Sequence, residues 1–305
     1  MADLDLPSTL KHNRWNRDLP PVARARDGDT ILFHTLSSDD GQINPDRPSV
    51  EGFDTSRVHP LTGPVFVEGA EPEDVLEVQV LDVEVADWGW QKLTRDLAYL
   101  KNFVEKEQVI IARIDRTRGI ARYPSGAEVR VEPMPGIIGV APAAHGEFRT
   151  IPPGRHAGNI DVREVRAGTS LRIPVFVPGA LLSVGDVHAA QGDGEVCLNG
   201  IETNGRVRVR LRLLKGMQLD RPHLKTPTHY GLLGTGPTVD EACRDALTAA
   251  ILWLVDAARI SREEAYALMS ATADLRLNQL VNGNALGTRV MIPLTLLRSL
   301  GVSVD

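Results

Sequence analysis

Carboxylates and imidazoles crowd into residues 145–202, interleaved with apolar runs and glycines. In Gly185-Asp186-Val187-His188, residues two apart on a strand point to one face. Asp186 and His188 would then project together, with Val184 on that side and Val187 opposite. A carboxylate beside an imidazole suits a Zn²⁺-type ion, which accepts both ligand types. A surface Asp-x-His pair is the plainer alternative. Asp193 and Glu195 repeat the spacing. A solvated turn explains Asp193 equally well, whereas Glu195 precedes apolar Val196-Cys197 and is drawn inward. Asn159 and Asp161 share a parity if their segment is extended, and Asp161 is placed to complete a metal site. Gly154 and Gly158 permit close backbone approach to a ligand, and an Asx-rich turn is the competing explanation. Glu147, in His145-Gly146-Glu147-Phe148-Arg149, has the chemistry of a general base, or else pairs with Arg149. His145 and His156 are further ligand candidates.

Other chemistries lack their signatures. There is no Gly-x-Ser-x-Gly, no Walker loop and no His-Glu-x-x-His. Gly231-Leu-Leu-Gly234-Thr-Gly236 lacks the Lys-Ser/Thr of a phosphate loop and reads as a tight connection into a helix. The 305 residues carry 34 Lys+Arg against 40 Asp+Glu, and this net −6 argues against nucleic acid as partner. No apolar run reaches membrane-span length, and MADLDLPSTLKHNRW lacks a signal core, so a cytoplasmic protein is expected. Two cysteines, Cys197 and Cys243, exclude a disulfide scaffold and read as buried free thiols rather than a bridge.

The elements that must position these groups fall into two parts. Residues 1–220 read as a β-rich body carrying most of the site. VRVRLRLL at 207–214 alternates as an amphipathic strand with its arginines in solvent. LTGPVFVEGAEPEDVLEVQV (61–80) and LRIPVFVPGALLSVGDVHAA share a Pro-Val-Phe-Val strand and a Gly-Ala turn, either a duplicated unit or a chance recurrence. QKLTRDLAYLKNFVEKEQ, from Gln91, fits a short helix or an extended excursion. Residues 221–305 read as a helical portion packed on the body. Thr238–Glu241 and Ser261–Glu264 are capping boxes, the second opening a helix through about Leu280 that Asn282-Gly283-Asn284 ends. The fold class is α+β, mainly β: a β-sandwich-like body with a C-terminal α/β portion containing a helical pair.

Four long pieces, HPLTGPVFVEGAEPEDVLEVQVLDVEVADWGW (59–90), GEFRTIPPGRHAGNIDVRE (146–164), PVFVPGALLSVGDVHAAQGDGEV (174–196) and HYGLLGTG (229–236), with ADLRLNQLVNG (273–283), closely resemble the acetamidase/formamidase family. The resemblance runs from about Pro21 to Pro293. It implies a metal-dependent hydrolase releasing ammonia from short aliphatic amides, as a homodimer or larger homo-oligomer. The alternatives are a metal-dependent hydrolase of another small C–N substrate, or a non-catalytic β-sandwich binding protein. Glu147, His156, Asn159, Asp161, Asp186, His188 and Glu195 match the family's polar core. Within it, Asp161, Asp186 and His188 are the leading metal ligands and Glu195 a further one. The ion is a divalent metal, zinc foremost, with room for a second (Ca²⁺ or Mg²⁺). Glu147 would shuttle the proton, Asn159 would donate to the carbonyl oxygen, and His156 and His229 would contact substrate. His59 could also approach. Departures are the segment after Trp90, Ala157 where Gly is expected, and Glu73 where Gly is common.

Overall fold

A computed structural model describes residues 2–304. Strands dominate. A nine-stranded sheet runs in the order Asp3–Leu6, Thr30–Thr35, Gly205–Leu214, Val75–Val85, Thr169–Pro174, His223–Lys225, His229–Gly236, Leu286–Pro293, Asp274–Gln279. A second sheet orders Ala157–Asn159, Met134–Gly139, Leu182–His188, Leu61–Val67 and Lys11–His12, with Ala23–Ala25 also paired to Leu61–Val67. One apolar core joins them: Ile31, Phe33, Val78 and Val207 from the first meet Val65, Ile138, Leu182 and Val184 from the second. This is the expected β-sandwich-like body. A four-stranded sheet, Glu128–Arg130, Ile120–Arg122, Gln108–Asp115 and Trp88–Leu93, flanks it.

The two Pro-Val-Phe-Val units pair with one another. The first passes from the smaller sheet (61–67) to the larger (75–85), and the second returns from the larger (169–174) to the smaller (182–188). Thr169–Pro174 pairs with Val75–Val80 in the larger sheet, and Leu182 pairs with Val65 in the smaller. Their turns are stitched by Gly179 N–H to Ala70 O (2.7 Å) and Val67 N–H to Gly179 O (2.9 Å). The strand that carries Asp186 and His188 is thus held by its sequence counterpart.

The 205–214 strand buries Val207, Val209 and Leu211, while Arg206, Arg208 and Arg212 pair with Glu84, Asp3 and Glu77. Two helices begin as expected. α1 (Val239–Ala258) is capped by Thr238 Oγ1, which accepts from Glu241 N–H, and α2 (Arg262–Thr272) by Ser261. α2 stops at Thr272, not near Leu280. DLRLNQ (Asp274–Gln279) alternates polar and apolar residues and joins the sheet edge instead, and residues 286–293 and a short helix α3 (Leu294–Ser299) follow. The glycines of 229–236 lie in a strand rather than a connection. A Cβ at Gly234 would stand 2.4 Å from Ala246 N, so glycine is what lets α1 approach. After Trp90 the chain makes a strand, an irregular excursion over 94–107 with no helix, and a second strand. Both cysteines are free and half-buried. Ala157 and Glu73 have φ +66° and +75°, the left-handed region, which explains why glycine suits both positions.

Candidate active site

Asp186 and His188 occupy one end of the 182–188 strand, and both are buried. The geometry is not a plain pleat. Asp186 has φ +56°, and the pairing with Met134–Gly139 passes over the Gly136–Asp186 position. Val184 lies in the apolar core, away from the two polar side chains. Asp161 (φ +48°) and Glu195 (φ +46°) are left-handed as well. Such conformations cost about 1–2 kcal/mol each for a side-chain-bearing residue and persist where surroundings dictate them, often at functional sites.

Gly136 makes the close approach possible. A Cβ there would sit 2.7 Å from Asp186 Oδ2, 2.8 Å from Asp161 Oδ1 and 2.9 Å from His188 Cε1. Around this gap the ligand atoms of Asp161, Asp186 and His188 lie within 4.8 Å of one another, as do those of His188, Glu195 and Glu202. His188 Nε2 is 2.9 Å from Glu202 Oε1 and 3.5 Å from Asp186 Oδ1. Its other nitrogen, Nδ1, faces Gln191 Oε1 at 2.8 Å, and Gln191 Nε2 donates to Asp161 O (2.8 Å). With Nδ1–H donating to Gln191 Oε1, Nε2 faces inward, the arrangement in which a partner on one ring nitrogen aims the other at a metal. Asn282 Nδ2 donates to Asp161 Oδ2 (3.0 Å), Ser38 Oγ to Glu202 Oε2 (2.7 Å), and Gly200 N–H to Glu195 Oε1 (3.0 Å).

Electrostatics makes this cluster unfavourable without a cation. Burial pushes Asp161 up to about 7 and Glu202 up to about 8, and lifts Glu195 well above the carboxylate range. Burial disfavours the His188 charge, yet Glu202 and Asp186 raise it well above its usual value. Burial also opposes the Asp186 charge, and His188 and His59 overcome it to hold that pKa low. Asp161 Oδ1 and Asp186 Oδ1 are buried with no hydrogen-bond partner. Four carboxylates, one imidazole and two orphaned inward oxygens fit a divalent cation, which accepts N and O donors together. A ring nitrogen serves one ion and Nδ1 is engaged, so the two overlapping groups favour a single cation.

The cluster floors a cavity of about 950 Å³, lined also by His59, Trp90, Arg149, Asn159 and Asn282. Asn159 donates from Nδ2 to Ile151 O (3.1 Å), leaving Oδ1 buried and unpartnered, so it offers the cavity an acceptor rather than the expected donor. His59 reaches the cavity, its Nδ1 unpartnered and its pKa lowered by burial. Four candidate residues are not brought there. Glu147 is solvent-exposed and outside the lining, because the short Phe148–Arg149 strand pairs with Arg14–Trp15 and directs Arg149, not Glu147, toward the cavity. His156 packs edge-on against Trp15 (centroids 5.1 Å), its pKa lowered to about 4 by burial. His229 bonds Thr228 Oγ1 (2.9 Å) beside a separate cleft. His145 faces Asp18 at the surface.

Glu202 was missed, although its setting in Gly200-Ile201-Glu202 shows the same apolar flank that marked Glu195. Ser38 and Asn282 gave no local signal.

The acetamidase/formamidase family model matches residues 3–146 and 143–298. The chain belongs to the acetamidase/formamidase family. Family likeness extends to a crystal structure of an acetamidase from Bacillus halodurans, with 32% identity and TM-score 0.93 over 98% of this chain and all of that one. A formamidase of Methylophilus methylotrophus is 29% identical over 76% of this chain and 73% of its own length. An acetamidase of Mycolicibacterium smegmatis is 28% identical over 71% and 68%. Among the described residues no helix is long and apolar enough to cross a membrane.

Proposed function

We propose that the protein hydrolyses short aliphatic amides such as formamide and acetamide to carboxylate and ammonia, with a divalent cation held by Asp161, Asp186, His188 and Glu202, and Glu195 beside them. The observation that carries this reading is the buried carboxylate–imidazole cluster with orphaned oxygens on the cavity floor. When bound, the cation supplies Lewis acidity, polarising the amide carbonyl and acidifying water. Asn159 Oδ1 accepts a hydrogen bond from the amide NH₂ and orients it. His59 Nδ1 takes the proton from water and returns it to the departing nitrogen, the role assigned by local sequence to Glu147. Ser38 Oγ holds Glu202 Oε2 (2.7 Å), and beside it Trp90 Nε1 donates to Ser37 Oγ (2.8 Å). Zinc remains the foremost ion for a mixed N/O set. Homo-oligomeric assembly belongs to the same reading and rests on the family resemblance.

The test is ammonia release from formamide and acetamide by protein as isolated, after chelation and after Asp186→Asn. Both treatments should abolish turnover, and undiminished activity in either would sink the cation assignment. Glu147→Gln should stay close to wild type in kcat/KM. A hundredfold loss, typical of a missing general base, would return Glu147 to the mechanism.

Cation affinity should fall with acidity. Asp161 and Glu202 hold protons near neutral pH and must release them to ligate, so apparent affinity drops about tenfold per pH unit for each proton displaced. Zinc titrations at pH 6, 7 and 8 read the slope, and a pH-independent affinity would contradict this assignment.

A further inference from the structure

The cavity is far larger than a two-carbon amide requires. At about 950 Å³ it lies at the upper end of pockets that enclose drug-sized ligands. Its lining includes the apolar side chains Val58, Trp90, Leu97, Leu198 and Leu280 among polar ones such as Thr55 and Asn199. Outside the carboxylate–imidazole cluster its lining carries Lys92, Lys101 and Arg149 against the single acid Asp96. Lys92 is the best defined of the three. Its ammonium lies 4.9 Å above the Phe53 ring, and both residues line the cavity. Among the described residues no carboxylate pairs with it. A cation resting on an aromatic face has given up part of its water and lacks a counter-ion, a situation a ligand carboxylate relieves.

The strand fixes where that carboxylate would sit. Trp90 N–H and C=O both pair with the backbone of Glu202, each at 2.9 Å, so Trp90 lies level with the cluster. Lys92 is two residues on, on the same strand face, roughly 7 Å further along. Asn199 Oδ1 accepts from Lys92 N–H (3.2 Å) and steadies the strand there.

We infer that the amide this cavity is built for has an apolar acyl body of about that length, ending in a carboxylate that Lys92 receives. The inference rests on the amide-hydrolase reading and narrows its substrate class to ω-carboxylated monoamides.

The experiment measures kcat/KM for acetamide, hexanamide and adipamate, the last two matched in length and differing in the terminal carboxylate. Adipamate should exceed hexanamide about tenfold or more, the worth of one hydrogen bond to a charged group. Lys92→Met should bring the ratio close to one, and Lys92→Arg should restore part of it. Adipamate no better than hexanamide, or an advantage that survives Lys92→Met, overturns the inference while acetamide turnover leaves the amide reading standing. Ammonia from none of the three removes both.

Discussion

Gly136→Ala should fold normally and lose at least about a hundredfold in turnover, the penalty of displacing a reacting group by about an ångström. The reasoning is local. Gly136 sits in the 134–139 strand without the positive φ that would bar alanine, so the backbone tolerates the change. The added methyl meets three side chains, Asp186, Asp161 and His188, all under 3.0 Å. Each of them must retreat, and they share one buried space, so their convergence is what is lost. Circular dichroism and Tm near wild type, together with a collapsed kcat and weakened zinc binding, is the expected pattern. A folded Gly136→Ala protein with full activity would show that the cluster is not where the reaction takes place.

Arg289→Met should destabilise the protein by about 3 kcal/mol, the lower end of what breaking a buried ion pair costs. Arg289 is fully buried and contacts Glu164 (2.9 Å), Asp193 (2.6 Å), Asn278 Oδ1 (2.9 Å) and Leu277 O (2.7 Å). Asp193 keeps a third of its side-chain surface in water, which is why the lower figure applies. The same guanidinium ties the turn before Glu195 to the strand before Asn282, with Gly194 N–H bonded to Asn278 O (3.0 Å). Asn282 orients Asp161, and Gln191 orients His188. Loss of such outer supports typically costs about 10–100-fold in metal affinity. Chemical denaturation and zinc titration of one sample test both, and wild-type stability would refute the assignment of Arg289 as a clamp.

What could be read from the residues alone followed from short-range periodicity. The strand at 207–214 and both helix caps depend on neighbours within four positions, where side-chain direction follows the backbone, and Asp186 and His188 are neighbours on one strand although a left-handed Asp186 replaces the plain pleat. Asp161 is legible through its shared parity with Asn159, although left-handed backbone, not strand parity, turns it inward. Glu147 lies outside the cavity for a non-local reason: the strand that follows it, Phe148–Arg149, pairs with residues 14–15, and no local pattern shows which way that pairing faces. Ser38, His59 and Asn282 arrive from distant segments, and their convergence is a property of topology. The second helix ends before Leu280 because Leu275 and Leu277, two residues apart, fit strand spacing and join the sheet edge.

The mutual pairing of the two Pro-Val-Phe-Val units bears on how the chain is made. Residues 61–85 emerge from the ribosome about a hundred positions before the strands that complete them in either sheet. For that interval the nascent chain presents open strand edges rich in valine, both edges of Val75–Val85 and one of Leu61–Val67, the kind of surface other chains join. A polypeptide ending near residue 146, where the first family segment ends, is therefore no autonomous half. It is a template missing its complement, and its solubility depends on being supplied with one.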